Sequence, residues 1–183
     1  MPLLMLKDLP RYDCLLAAGQ KYPTLNPRAF EAFLHLLRTG DAVFAAESAF
    51  LAQHSISQGR FTVLMLLNRC GKDQASTPAA LAEESGVTRA TMTGLLDTLE
   101  KDGVIRREAD VRDRRTVLVR LTETGRALLE RMLPDYFECV ARLMAPLSAI
   151  ERKQLVALLQ KIQQSATVDG NSGHVAETAG AAA

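Results

Sequence analysis

Arginine and threonine are concentrated in two neighbouring stretches whose chemistry suits a polyanion. From Val104 to Arg120 the cations are Arg106, Arg107, Arg112, Arg114, Arg115 and Arg120, set against Glu108, Asp110 and Asp113, a net charge of +3. All six are arginine, whose flat guanidinium forks onto phosphate and enters narrow minor grooves better than a lysine ammonium. Just upstream, Thr88-Arg89-Ala90-Thr91-Met92-Thr93 offers small and hydroxylated side chains beside one cation. Small side chains let a helix backbone approach base edges, and threonine can bond a base or a phosphate or touch a thymine methyl. Asp113 and Arg115, two residues apart, suggest a pair in which the carboxylate sets the direction of the guanidinium. Each stretch alone has a plainer reading, as an amphipathic surface helix and as a solvated charged hairpin. Taken together they point to duplex DNA.

The elements that must position these residues are legible from their punctuation. Thr77-Pro78 opens a helix over Pro78 to Ser85, with Thr77 as N-cap, and Gly86 ends it in the left-handed conformation that glycine adopts without strain. Thr88 caps the next helix, which reaches about Asp102. At about 100° per residue, Met92, Leu95, Leu96 and Leu99 face inward while Ala90, Gly94, Asp97 and Lys101 face out. Val104 to Glu108 and Thr116 to Leu121 read as strands, and the polar run between them makes the pair a wing. This is the pattern of a winged helix-turn-helix. Its span is 57 to 125.

The flanks read as helices. Asn26-Pro27 starts a long one, with Phe30, Phe33, Leu34, Leu37, Val43, Phe44, Phe50 and Leu51 on a stripe that runs to about His54 and is interrupted by Gly40. Ser57 caps a second, Gln58 to about Arg69, apolar nearly all round and therefore central. Thr122 enters a third, to about Leu143, which Pro134 is expected to kink or break. Ser148 with Glu151 forms a capping box for the last. Residues 28 to 56 and 126 to 165 thus form a helical dimerisation domain. Residues 1 to 27, too apolar for disorder, are an N-terminal arm that buries its leucines against a partner subunit or the same subunit, and 166 to 183 a disordered tail with nothing to bury. The fold class is mainly α with a small β-wing (α+β).

With 183 residues, 48% hydrophobic and 23% charged, the chain can bury a real core. No apolar run approaches a membrane span, so no membrane partner is expected. No secretory leader pattern is present, and three scattered cysteines fit a reducing cytoplasm better than a disulfide framework. The net charge of +1 means that any DNA surface must be a local concentration of cations. His35, His54 and His174 have no metal-ligand spacing, and no nucleophile motif or glycine-rich phosphate loop occurs. No cofactor, metal or catalytic residue is expected.

Residues 30 to 165 resemble the MarR family of transcriptional regulators. The resemblance is carried by Leu81 through Thr93, by Leu99 through Arg107, and above all by Asp110 through Arg115 leading into Val117-Leu118-Val119-Arg120-Leu121-Thr122-Glu123-Thr124-Gly125. It implies an obligate homodimer, a recognition helix in the major groove and a wing arginine in the minor groove. On that matching the DNA-binding residues are Thr88, Arg89, Ala90, Thr91 and Thr93 of the helix with Arg112, Asp113, Arg114 and Arg115 of the wing. Arg115 is then the minor-groove residue and Asp113 its orienting partner. Gly94 departs from the pattern, standing where a longer, often basic residue is usual. The resemblance further implies a repressor released by a small aromatic or phenolic effector.

Two rival readings remain at this level. A branch of the family senses oxidants through an N-terminal cysteine near tyrosines, and Cys14 lies between Tyr12 and Tyr22. Its neighbour Asp13, however, opposes thiolate formation. A dimerisation module that binds no DNA explains the long helices but not the arginines of the wing. His35, Arg38 and Arg60 are candidates to contact an effector, though such residues more often serve as surface or inter-helix contacts.

Overall fold

The computed structural model describes residues 2–69, 75–111, 113 and 115–172. Cys70, Arg112, Arg114 and His174 lie outside that set. The elements, in chain order, are α1 (Tyr12–Lys21), α2 (Pro27–Gln53), α3 (Gln58–Arg69), α4 (Pro78–Ser85), α5 (Arg89–Lys101), β1 (Ile105–Ala109), β2 (Val117–Leu121), α6 (Glu123–Met144) and α7 (Ala149–Ser172). The expected cap residues do cap: Asn26 Oδ1 accepts from Ala29 N at 3.1 Å, Thr77 Oγ1 from Ala80 N at 3.2 Å and Thr88 Oγ1 from Thr91 N at 3.1 Å. The box at the start of α7 is reciprocal, with Glu151 N donating to Ser148 Oγ and Ser148 N to Glu151 Oε2. Those contacts hold the Glu151 carboxyl below its ordinary range.

Three details differ from expectation. Gly40 does not interrupt α2, which continues through it to Gln53. Pro134 sits inside α6 without ending it; the ring removes one donor, and the remaining ladder carries the helix on. The last helix, expected to stop at about Ala166, runs to Ser172, since no proline intervenes to stop it.

The chain forms two compact units that divide within α6, after Cys139. The first holds the core: Leu51, Val63, Leu64, Leu67, Leu81, Met92, Leu96, Leu99, Ile105, Val119, Leu129 and Met132 are buried around α3. The arm joins it through α1, which buries Leu15, and through a clasp on α2. Asp41 Oδ1 and Oδ2 accept the consecutive backbone N–H groups of Leu3 and Leu4 at 2.6 and 2.9 Å, which lowers the Asp41 carboxyl pKa. In the second unit α7 buries none of its described residues, leaving Ile150, Leu155, Val156, Leu158 and Ile162 exposed. No helix among the described residues is long and apolar enough to cross a membrane.

The strands pair antiparallel in the register Ile105↔Leu121 to Ala109↔Val117. Ser76 adds a bridge on the far side of β2, exchanging both backbone bonds with Val119. The sheet is anchored below by Gly125. A Cβ there would lie 2.1 Å from the Val104 carbonyl oxygen, so only glycine lets α6 start against β1. Thr122 completes the joint by donating to Gly103 O at 2.7 Å and accepting from Gly125 N. That is the physical content of the Leu-Thr-x-x-Gly run.

Candidate nucleic-acid interface

The turn between α4 and α5 is set by Gly86, left-handed at φ 67°, and by Val87 N reaching back to Ala82 O. It presents the start of α5 to solvent: Thr88, Arg89, Ala90, Thr91, Thr93 and Gly94 are all exposed, while Met92, Leu96 and Leu99 are buried and Leu95 half-buried. The threonines are more committed than their sequence suggests. Thr88 Oγ1 serves as the cap and lies 2.9 Å from Thr91 Oγ1, and Thr93 Oγ1 donates to Arg89 O at 2.9 Å. Their oxygens keep acceptor capacity. No atom would obstruct a Cβ at Gly94, so packing does not require the glycine.

In the wing, Asp113 acts on backbone rather than on a guanidinium. Its Oδ1 accepts Arg115 N at 3.0 Å, its Oδ2 accepts the Thr116 hydroxyl at 3.1 Å, and its carbonyl accepts Thr116 N at 2.9 Å. The expected pairing with the Arg115 guanidinium is therefore corrected: Asp113 fixes the turn that carries Arg115. Asp110 N donates to Thr116 O at 2.9 Å and closes the hairpin.

The described wing arginines do not form one basic face. Arg107 crosses to α5, bonding Asp97 Oδ1 at 2.7 Å and Glu100 Oε2 at 3.1 Å, while its own backbone N–H donates to Glu100 Oε1. Arg106 and Arg120 both hold Glu108; the bond from Arg120, then that from Arg106, lowers the Glu108 carboxyl pKa. Asp102 and Glu84 are engaged by Arg60 and Arg69 of α3, and Glu123 by Arg126. Between Ser76 and Arg126, the cations with no ion pair among the described residues are Arg89, Lys101 and Arg115. Internal pairing thus turns a nearly neutral lobe into one with a few unneutralised cations.

Two of those cations share a site. Arg89 and Thr93 of α5 line a concavity of about 480 Å³ together with Arg115, Thr116 and Val117 of the wing and Thr77, Pro78 and Ala79 at the start of α4. Not anticipated from the sequence are Thr77, Pro78, Ala79, Thr116 and Val117, whose signal was only the helix start and strand end they form. Of the effector candidates, His35 is exposed, Arg38 is bonded to Leu6 O, and Arg60 is bonded to Asp102. Cys14 is exposed on α1, next to an Asp13 carboxylate taken by Arg11 at 2.9 Å. Cys139 is half-buried against the core.

A two-helix turn followed by a two-stranded wing, on a helical body, defines a winged helix-turn-helix regulator. The MarR family model matches residues 56–117. HTH-type transcriptional repressor YetL of Bacillus subtilis is 34% identical over 154 residues, covering 84% of this chain and 92% of that protein. The chain belongs to the MarR family. Among solved structures, the S. aureus MepR–DNA complex superposes with a TM-score of 0.64 at 26% identity, covering 73% of this chain and 96% of that one. BpsR of Bordetella bronchiseptica, whose DNA binding is regulated by 6-hydroxynicotinic acid, gives 0.61 at 29%, covering 70% and 91%.

Proposed function

We propose that two copies of this chain bind a pseudo-palindromic DNA operator as a repressor and release it when a small aromatic effector binds. The observation that carries the DNA reading is the concavity in which Arg89 and Arg115, from different elements and both without an ion pair among the described residues, meet. Arginines left free by internal pairing are available to phosphate or a minor groove. In this reading Thr88, Ala90, Thr91 and Thr93 face the major groove, Arg115 enters the minor groove, and Asp113 holds the wing turn. Arg112 and Arg114, the sequence neighbours of Asp113, belong to the same reading. The likeness to a family member solved on DNA supports it.

Residues 28–56 and 126–165 form the dimer surface. In the first unit Phe30, Phe33 and Phe44 of α2 are exposed, and in the second, taken by itself, Ile150, Leu155, Val156, Leu158 and Ile162 of α7; each exposed apolar face supports a contact with a second copy. Two-fold symmetry then sets half-sites about one helical turn apart, roughly 34–36 Å. The effector site is a separate cavity of about 430 Å³ between α2, α3 and α6. The relative regulated by a small aromatic molecule supports an effector in general.

Fluorescence anisotropy on a duplex recovered with the protein tests the proposal. The log of affinity should fall by about 0.9 per neutralised phosphate against log salt, and Arg115→Ala should weaken binding more than Lys101→Ala. A flat salt response would instead leave a dimerisation module.

A further inference from the structure

The geometry points to an aromatic cation as the effector class, with Glu47 as its counter-charge. This rests on the effector reading above and adds the sign of the ligand's charge. Phe61, Thr62, Met65 and Leu66 of α3 line the cavity, closed on the other sides by Glu47 of α2 and Tyr136 of α6. The Tyr136 and Phe61 rings lie 4.8 Å apart at 57°, so two aromatic groups stand beside the carboxylate. Aromatic faces attract cations and reject anions.

Glu47 is half-buried. Its Oε1 accepts the Tyr136 hydroxyl at 2.8 Å and its Oε2 accepts Gln58 Nε2 at 3.1 Å. Both contacts leave lone pairs free for a third donor. The other charged residue among the described lining residues, Arg69, is already bound to Glu84, and its side chain is 67% exposed. The cavity and this pair therefore hold one cation against two carboxylates. A ligand carboxylate would meet Glu47 with no unengaged cation among the described lining residues to offset the repulsion, whereas an ammonium gains both the carboxylate and the rings.

Calorimetry on the full-length, DNA-free protein with a matched pair of probes decides the matter: 2-naphthylmethyl-trimethylammonium and 2-naphthylacetate. The cation is expected to bind at least about tenfold more tightly, and Glu47→Gln to cut that ratio severalfold, to the remainder owed to the rings. Equal or tighter binding of the anion to wild type overturns the inference, as does an undiminished preference in a folded Glu47→Gln. The wild-type ratio decides alone should that variant not fold. Anion binding that is blocked by filling the cavity with Met65→Trp overturns the charge assignment and leaves the effector cavity standing. Binding of neither probe overturns both.

Discussion

Arg115 and Arg107 are both wing arginines, and replacing each by alanine should have opposite signatures. The Arg107 side chain is 26% exposed and bonds Asp97 and Glu100, themselves 59% and 40% exposed. Exposed carboxylates are screened by water, so two short contacts are together worth about 1 kcal/mol. Arg107→Ala should lower Tm by about 2–4 °C for a chain of this size. It also unties β1 from α5. The Arg115 guanidinium has no ion pair among the described residues, and Asp113 holds only its backbone N–H. Arg115→Ala should therefore change stability by less than about 0.5 kcal/mol. Its cost falls on DNA, at about 1–3 kcal/mol for a placed arginine, or tenfold and more in affinity. Differential scanning calorimetry and anisotropy on the same preparations read the two axes. Should Arg115→Ala lower Tm as Arg107→Ala does, or leave DNA affinity unchanged, the division between structural and free arginines is wrong.

Two glycines should respond in opposite directions to the same change. Gly125→Ala drives a Cβ to 2.1 Å from a backbone carbonyl and should cost about 3 kcal/mol or more in urea unfolding. Gly94→Ala meets nothing within 4 Å and should stabilise by about 1 kcal/mol, the difference in helix propensity; comparable destabilisation of both variants would refute the packing account. Burial, then the hydrogen bond to Glu47, pushes the Tyr136 phenol up to about 12 from 10.0. Because the folded form holds this proton more tightly, its contribution is complete below pH 10 and is lost as pH rises towards 12. Absorbance titration at alkaline pH should show a late phenolate step that Tyr136→Phe removes; an unchanged titration in that variant would refute the assignment.

Much of the fold was legible because it is written locally. Asn26-Pro27, Thr77-Pro78, Thr88 and Ser148 with Glu151 each cap a helix through bonds to a residue three positions away. Both strands lie within one residue of the expected bounds. The wing's Asp113 was identified as an orienting residue, but its target is backbone, a choice set by the tight turn back to Thr116. Pro134 is expected to kink or break its helix because its local effect is unfavourable; α6 continues through it without a break.

Which charges are free could not be read from charge counts. Arg60 finds Asp102 across 42 residues, Arg107 finds Asp97 across ten, and Tyr136 finds Glu47 across 89. The sequence by itself determined where elements begin and end and which face of each is apolar, since those depend on neighbours within a turn or two. Only the tertiary structure decided that Arg107 is a strap while Arg89 and Arg115 stand open, and that a carboxylate lines the cavity. A side chain's partner depends on which distant elements the core brings together.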